Sequence, residues 1–249
     1  MLSVEAIDVY IQASHILRRV SLAVGEREVV CLVGRNGAGK TTTLRAIMGY
    51  LRPRAGRITF HGQDIQGRRT SDVARMGLGF APEDSGIFPD LTVAENIEIS
   101  TWTRPTERPA RERIERAYQV FPVLRRYMAR KGPEMSGGER KMLSIARALA
   151  LDPDMLLLDE PFEGLSPAII PTVSEGLASI TGLGHSILLA ESNIHHVPEF
   201  ADRLYIIERG EIIFVGRPQD VHADGSVMRV IGRDTVHALV KVLGSSIVN

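Results

Sequence analysis

The segment from Gly34 to Thr41 constrains the fold of this chain more than any other part of its sequence. It reads Gly-Arg-Asn-Gly-Ala-Gly-Lys-Thr and satisfies the pattern G-x-x-x-x-G-K-[ST]. An apolar run over 29–33 precedes it, and a helical pattern over 42–48 follows it. Glycines let a backbone wrap a phosphate group, whose charge then meets several N–H groups and the positive end of the next helix. The pattern therefore predicts a strand, a phosphate-binding loop and a helix in succession.

The residues of this loop have predicted roles in binding ATP. Lys40 would reach the β- and γ-phosphates as a catalytic residue, Thr41 would give its hydroxyl to Mg²⁺, and Thr42 would add a phosphate contact. The backbone that wraps the phosphates belongs to Gly34, Arg35, Asn36, Gly37, Ala38 and Gly39. The loop thus predicts ATP and Mg²⁺ as the bound groups.

Two carboxylates, Asp159 and Glu160, follow the apolar run 155–158. In an open α/β sheet, ligands bind at the carboxyl ends of the strands. Asp159 would therefore bind Mg²⁺, directly or through water. Glu160 would accept a proton from the water that attacks the γ-phosphate, or orient that water, a role worth roughly 10²–10⁴-fold in rate.

Short apolar runs alternate with helical patterns, which predicts an α/β fold built on a P-loop NTPase core with a mainly parallel sheet. The runs that read as buried strands are 29–33, 77–80, 155–158, 187–190 and 204–207. Strand-like pieces at 21–24 and 57–60, with turn signals between them, predict a small antiparallel patch beside the main sheet. At 249 residues, the chain is predicted to form a single domain over 1–249.

Between about 91 and 150 the strand signal disappears and helical patterns take over, which predicts a helical subdomain. These patterns lie at 93–99, 111–121 and 139–150. From Arg104 to Lys131, nine basic residues stand against three acidic ones. Two explanations stay open for them: a solvated helix surface with pairs such as Glu112 and Arg116, or contact with lipid headgroups or a partner.

Charge is balanced at 30 basic and 30 acidic residues, so the chain lacks the net positive field that nucleic acids usually attract. Nucleic acid is therefore not expected as a partner. No stretch approaches the roughly 20 apolar residues needed to cross a bilayer, so any membrane role would come through partner proteins. The single cysteine, Cys31, is predicted to be a buried strand residue, and such usage fits a reducing cytoplasm.

A second candidate anion site lies shortly before the acidic strand, where residues 135–140 read Met-Ser-Gly-Gly-Glu-Arg and open a helical pattern. A serine and two glycines at a helix N-terminus can offer a hydroxyl and backbone N–H groups to a phosphate. This segment resembles the L-S-G-G-Q signature of ABC ATPases. The matching positions are Ser136, Gly137, Gly138 and Glu139.

The resemblance to ABC ATPases extends from residue 4 to about residue 232. In that family two ATPase subunits meet head to tail, so that each signature caps the ATP on the other subunit's phosphate loop. The resemblance therefore implies a second ABC ATPase subunit, identical or different, together with transmembrane permease subunits and, indirectly, a solute-binding protein. It also implies a peripheral location on the cytoplasmic face of the inner cell membrane.

Three further segments resemble the LivF-type ATPase of branched-chain amino acid importers, a group whose relatives handle urea or short amides. Residues 80–83 read Phe-Ala-Pro-Glu, residues 87–96 read Ile-Phe-Pro-Asp-Leu-Thr-Val-Ala-Glu-Asn, and residues 164–167 read Gly-Leu-Ser-Pro. Glu83 stands where most ABC ATPases have the glutamine of the Q-loop. The resemblance implies that Glu83 touches Mg²⁺ or the attacking water and links the nucleotide site to a membrane subunit.

The sequence departs from the family at two nucleotide contacts. Ser192 stands where the family has a histidine, or in this subgroup a glutamine, that contacts the γ-phosphate, and serine is shorter than either. His195 and His196 are predicted to lie on the surface of the next helix. The residue that usually stacks on adenine is aromatic, and its position falls on Ile11 with Tyr10 beside it.

The last segment, about 233–249, extends past the usual end of the family. Val236, Leu239, Val240 and Leu243 have helical spacing within it. The spacing predicts a helix that either packs on its own domain or docks on a partner.

Three functions are compatible with these motifs. The first is an importer ATPase, in which ATP binding closes a dimer and hydrolysis at Glu160 reopens it. The second, motivated by Ser192, is a regulatory partner that binds ATP but hydrolyses it poorly in a heterodimer. The third is a soluble ABC ATPase that works on ribosomes or DNA, although such proteins generally carry two ATPase units or a long coiled-coil insertion.

Overall fold

Strands and helices alternate along the chain, as the apolar runs predict. The computed structural model describes residues 1–223 of the 249, so the predicted extension at 233–249 lies outside the described residues. The strands are β1 Leu2–Ile11, β2 Ser14–Val24, β3 Val29–Val33, β4 Ala55–Phe60, β5 Gln63–Asp64, β6 Leu78–Ala81, β7 Met155–Asp159, β8 Ser186–Glu191, β9 Arg203–Glu208 and β10 Glu211–Gly216. The helices are α1 Lys40–Ile47, α2 Thr70–Arg75, α3 Val93–Ser100, α4 Ala110–Val120, α5 Pro122–Arg125, α6 Gly137–Ala150 and α7 Ile170–Gly182. Short 3₁₀ helices lie at Gly132–Glu134, Ile194–His196 and Pro218–Ala223.

The chain divides into two compact units. Among the described residues, the first unit comprises 1–68 and 188–223, and the second unit comprises 69–187. The boundary falls within β8, which begins in the second unit and ends in the first. A single domain over 1–249 with a helical subdomain at about 91–150 stays a prediction.

In the first unit, β1 pairs antiparallel with both β2 and β4, in the order β2-β1-β4-β5. Leu2 lies opposite Val24 on one neighbour and opposite Phe60 on the other. Ile7 and Val9 of β1 are fully buried, because alternate residues of a strand point to the same side of the sheet. The predicted antiparallel patch is confirmed.

The first unit also contains parallel strands. β3 lies parallel to β9, and β9 pairs antiparallel with β10. All five residues of β3 are buried, as expected for a strand covered on both sides. Cys31 lies among them, and burial, reinforced by the nearby Glu191 and Asp202, raises the pKa of its thiol. The prediction of a buried strand cysteine is confirmed.

In the second unit, β6 lies parallel to β7, with Leu78 opposite Met155 and Ala81 opposite Leu158. Helices α3 and α4 both pack against α6. These three helices coincide with the predicted helical patterns to within a few residues. The predicted α/β class, with parallel strands and a run of helices between β6 and β7, is confirmed.

The arginine-rich stretch of the second unit forms ion pairs within that unit. Glu112 Oε1 lies 3.2 Å from Arg116 Nη2, the predicted pair four residues apart, and 3.0 Å from Arg108 Nε. Arg108 also pairs with Asp152, and Arg104 Nη2 lies 3.3 Å from Asp154 Oδ2. Helix-surface pairing therefore accounts for part of this stretch. Within residues 1–223, no helix combines the length and apolar character that crossing a bilayer requires.

Candidate functional site

The predicted phosphate loop lies in the first unit, between the buried end of β3 and the start of α1. Gly34 N donates to Glu191 O over 3.1 Å, which ties the loop to the end of β8. A Cβ at Gly34 would lie only 2.3 Å from Ile207 O, so a larger residue does not fit. Gly37 and Gly39 have φ angles of 81° and 114°, in the left-handed region that favours glycine. The two glycines that the pattern fixes, Gly34 and Gly39, and the additional Gly37 thus each suit this backbone.

Lys40, the first residue of α1, is held by the loop that precedes it. Its Nζ donates to Gly34 O over 2.8 Å and to Arg35 O over 3.3 Å, and the residue is 5% exposed. Gly39 precedes the helix without a side-chain cap, so the first N–H groups of α1 are not satisfied by a capping side chain. A lysine ammonium beside such N–H groups suits the phosphates of ATP.

The remaining loop residues differ in exposure. Arg35, Asn36 and Gly37 are exposed, whereas Ala38 and Gly39 are buried. Thr41 and Thr42 are half-buried in the first turn of α1. The Thr41 hydroxyl is a hard oxygen donor of the kind that Mg²⁺ prefers.

The two candidates for stacking on adenine have different surroundings in the first unit. The Tyr10 ring stacks on the His15 ring, with centroids 4.2 Å apart, and the Arg54 guanidinium lies 4.1 Å from the Tyr10 centroid. Ile11 is 43% exposed. Tyr10 therefore already has two partners of its own, and Ile11 offers the more open surface.

Ser192 directly follows β8 and is half-buried in the first unit. His195 and His196 do follow β8 in a helix, as predicted, but it is only the single 3₁₀ turn Ile194–His196, whose start is capped by Asn193. Proline at 198 explains this, because it disfavours helical backbone in the residue before it. His196 Nδ1 lies 3.2 Å from Oε2 of the fully buried Glu191, so this histidine has a carboxylate partner.

The predicted acidic pair lies in the second unit at the end of β7. Asp159 and Glu160 are only 2% and 4% exposed. Glu160 has a φ of 48°, a left-handed conformation that costs a residue with a side chain roughly 1–2 kcal/mol. Burying carboxylates requires hydrogen bonds or opposite charge nearby. The residues around Glu160 must therefore stabilise both its carboxylate charge and its left-handed backbone conformation.

Lys141 brings positive charge close to Glu160, and no motif in the sequence indicated this residue. This residue of α6 is 8% exposed, and its Nζ donates to Glu160 O over 2.7 Å and to Glu83 O over 2.6 Å. The sequence signal that could have found it is a lysine at the start of a buried helix face, with Ser144, Ile145 and Ala148 at helical spacing. A buried lysine in such a pattern requires oxygen partners.

Glu83 and Glu160 lie near a third acid, Glu163, and we name Glu83, Glu160 and Glu163 the carboxylate cluster. Partial burial, then repulsion from Glu160 and from Glu83, raises the pKa of Glu163, while Lys141 opposes the shift. Glu83 itself is exposed, in the segment between β6 and α3. The structure thus brings two of the predicted catalytic residues together within the second unit.

The predicted signature residues also lie in the second unit, at the start of α6. Ser136 caps this helix: Glu139 N donates to Ser136 Oγ over 3.3 Å, and Ser136 N donates to Glu139 Oε2 over 2.6 Å. Ser136 and Gly137 are exposed, and a Cβ at Gly137 would meet nothing within 4 Å. Gly138 packs more closely, since a Cβ there would lie 3.0 Å from Ile169 Cγ2.

The predicted Mg²⁺ ligands are divided between the units: Thr41 belongs to the first, and Asp159 and Glu83 belong to the second. Among the described residues, no three His, Cys, Asp or Glu side chains are grouped to hold a metal ion. Mg²⁺ in nucleotide sites typically takes one or two protein oxygens together with phosphates and water, so a threonine hydroxyl and a buried aspartate fit it. The assembly of these residues into one site stays a prediction.

Comparisons with known proteins agree with the motifs. A family model described as ABC transporter matches residues 17–163. The lipopolysaccharide export system ATP-binding protein LptB of Acidithiobacillus ferridurans is 36% identical over 86% of this chain and 89% of that protein. The high-affinity branched-chain amino acid transport ATP-binding protein BraG of Pseudomonas aeruginosa is 34% identical over 86% of this chain and 91% of that protein.

A solved structure has the same fold. The ADP conformation of an ATP-binding cassette of an ABC transporter has a TM-score of 0.82 and 27% identity, covering 92% of this chain and 97% of that chain. The predicted family and fold are confirmed. Because proteins of lipopolysaccharide export and of branched-chain amino acid transport are about equally similar, these identities do not select a transported substrate.

Proposed function

Because the chain belongs to the ABC transporter family of ATP-binding subunits, we propose that it hydrolyses ATP to drive an importer of branched-chain amino acids or of related small solutes such as urea or amides. Family membership establishes an ATPase subunit of a transporter. The observation that carries the hydrolytic role is the buried acidic pair of Asp159 and Glu160 in the same unit as Glu83. The importer assignment and the residue roles are the proposal.

ATP binding is assigned to the phosphate loop of the first unit. The N–H groups of residues 34–39 and of the first turn of α1 would surround the phosphates, and Lys40 would turn its ammonium from its backbone partners toward the β- and γ-phosphates. Thr42 would add a hydroxyl contact, and Ile11 or Tyr10 would cover the adenine base. Thr41 and Asp159 would hold Mg²⁺, which when bound supplies positive charge against the phosphate oxygens.

Hydrolysis is assigned to Glu160. Its carboxylate would take a proton from a water molecule as the water oxygen bonds to the γ-phosphorus. The bond from that phosphorus to the β–γ bridging oxygen breaks, and ADP and phosphate leave. Glu83 would orient the water or contact Mg²⁺, and Ser192 would face the γ-phosphate in place of a longer side chain.

We also propose that the chain works in a dimer with a second ABC ATPase subunit. Ser136 and the backbone of Gly137, Gly138 and Glu139 would contact the ATP held by the partner's phosphate loop. The dimer would bind transmembrane permease subunits at the cytoplasmic face of the membrane, and a solute-binding protein would act through those subunits. The exposure of Ser136 and Gly137 at the start of α6 supports this role.

The resemblance of residues 80–83, 87–96 and 164–167 to the branched-chain amino acid group, with Glu83 at the Q-loop position, favours import. Export of lipopolysaccharide is the second candidate, favoured by the 36% identity to LptB. A regulatory partner with weak hydrolysis is a third, favoured by the short side chain of Ser192. The remaining hypothesis, a soluble ABC ATPase that acts on ribosomes or DNA, is favoured by no observation.

The test is to purify the full chain with the membrane subunits that bind it, identify those subunits, and reconstitute them in liposomes. An importer predicts ATP hydrolysis that rises when solute-binding protein loaded with leucine, urea or a short amide is present at the outer face. Stimulation by lipopolysaccharide alone would contradict import and support export. Binding of ATP without hydrolysis in the full complex would contradict the catalytic role and support the regulatory one.

A further inference from the structure

Lys141 connects two segments of the second unit that are far apart in the sequence. Its single ammonium donates to the backbone oxygen of Glu83, before α3, and to that of Glu160, after β7. The residue is 8% exposed, so water cannot readily replace either hydrogen bond. A buried ammonium that loses one of these hydrogen bonds is destabilised, because no water replaces the lost oxygen. This free-energy cost opposes separate movement of the two segments.

The backbone at Glu160 is strained in a way that makes this contact important. A φ of 48° at a residue with a side chain persists only where the surroundings fix it. The carbonyl of Glu160 accepts from Lys141 Nζ over 2.7 Å and from Glu163 N over 3.2 Å. These hydrogen bonds fix the peptide group on the C-terminal side of Glu160 and so help to set the direction of the Glu160 carboxylate.

The segment around Glu83 is anchored on its other side to α3. Asn96 is fully buried, its Nδ2 donates to Phe88 O over 3.0 Å and to Leu91 O over 3.1 Å, and its Oδ1 accepts from Phe88 N over 2.8 Å. Ser85 N donates a hydrogen bond to Pro82 O over 3.0 Å, which closes a turn. The segment therefore has ordered contacts with α3 at one end and with Lys141 at the other.

We propose that Lys141 is a positioning residue for ATP hydrolysis, which fixes the backbone of Glu160 relative to that of Glu83 through one shared ammonium. A displacement of the Glu83 segment would then move or release Lys141 and change the direction of the Glu160 carboxylate. The inference rests on the proposed role of Glu160 in hydrolysis. It assigns to α6 a task separate from its N-terminal anion site.

The experiment compares steady-state ATP hydrolysis by the full-length wild type and Lys141→Met, in the complex with the membrane subunits. Methionine keeps most of the side-chain volume but donates no hydrogen bond. We expect kcat to fall about ten-fold or more while the KM for ATP stays within about two-fold, because misplacing a catalytic group affects the chemical step. Lys141→Arg, which keeps the charge and several donors, should recover most of the kcat.

Arg113→Met is the matched control. Arg113 is 6% exposed in α4 of the same unit, and its Nη2 donates to Thr101 O over 2.7 Å, remote in sequence from the carboxylate cluster. This variant should lower the melting temperature and leave kcat unchanged. A wild-type kcat in Lys141→Met, or equal losses of kcat in both variants, would overturn the inference.

Three further outcomes separate the role of Lys141 from the proposed function. If Lys141→Met does not fold, the same loss of kcat at constant KM is expected in Lys141→Gln, whose shorter amide cannot reach both carbonyls, and an unchanged kcat there overturns the inference. A wild type that binds ATP and never hydrolyses it contradicts the proposed function itself. An active wild type that loses its activity in Glu160→Gln but not in Lys141→Met contradicts the role of Lys141 alone.

Discussion

The phosphate loop of the first unit and the carboxylate cluster of the second unit are ordered by different means. The loop is ordered mainly by backbone groups close in sequence. Lys40 donates to carbonyl oxygens five and six residues before it, and the left-handed positions are glycines. In the cluster, a left-handed position is occupied by Glu160, and the lysine that holds its carbonyl is 19 residues away in sequence. One region is organised locally, and the other is organised by tertiary contacts.

This difference suggests a division of roles. A loop set by its own backbone can bind phosphate whether or not the second unit is correctly arranged. A glutamate in a strained, buried position depends on residues from several segments, so small structural changes can switch its activity. We therefore expect substitutions in the phosphate loop to act mainly on ATP affinity, and substitutions around the cluster to act mainly on the rate of hydrolysis.

The largest effect on ATP affinity should come from Lys40→Met. Removing the ammonium leaves the phosphate charge without its main side-chain partner, and losing one member of a buried charge pair weakens binding on the order of 100-fold. Titration calorimetry with a non-hydrolysable ATP analogue measures this. Arg45→Met, an exposed change on the same helix, should keep wild-type affinity. Equal affinities for wild type and Lys40→Met would break the comparison.

A smaller effect is expected at Ser192, a residue of the first unit outside the phosphate loop, to which we assign contact with the γ-phosphate. Ser192→Gln lengthens the side chain toward the γ-phosphate, and we expect kcat to rise about three- to ten-fold with little change in affinity. Ser192→Ala, which removes the hydroxyl, should leave kcat near that of the wild type. A fall in kcat for Ser192→Gln would indicate that the short side chain is required.

The smallest effect concerns stability and extends the comparison to another buried group of the second unit. His185 is 7% exposed, and burial lowers its pKa from the ordinary 6.5, although its contact with Pro153 O, 2.7 Å from Nδ1, and the charge of Asp152 oppose the shift. A lowered folded-state pKa contributes stability that is present above pH 6.5 and lost as the pH falls through the folded pKa.

Between pH 7 and pH 5, the melting temperature of the wild type should therefore fall more than that of His185→Gln. The difference should be about 2–4 °C, which is what roughly 1 kcal/mol is worth in a protein of this size. His195→Gln, at an exposed histidine of the first unit, should follow the wild type. If both variants show the wild-type pH dependence, the buried histidine does not contribute to acid sensitivity.

The phosphate loop could be predicted because its determinants are close together in sequence. The apolar strand, the glycines at 34, 37 and 39 and the lysine at the helix start all lie within twelve residues or so. The same holds for the cap at Ser136, whose partner Glu139 is three residues on. Apolar runs likewise indicated β3 and β7, since strands covered on both sides are apolar throughout.

The rest depended on tertiary contacts or backbone angles that no short pattern reveals. Nothing near Lys141 in the sequence indicates that its partners are the carbonyls of Glu83 and Glu160, or that Glu160 is left-handed. The contacts of Tyr10 with His15 and Arg54 could not be predicted either, because they form only in the folded structure. The helix expected around His195 is only a single 3₁₀ turn for a local reason, the proline at 198, which the sequence did contain.

The most direct test of this division of roles is to measure ATP affinity and steady-state hydrolysis together for Glu160→Gln in the complete transporter complex. Glutamine keeps the shape of the side chain but cannot take a proton from water. We predict an affinity within about two-fold of wild type and a kcat lower by roughly 10²–10⁴-fold. Hydrolysis that persists at the wild-type rate, or an affinity lost together with the rate, would contradict the account.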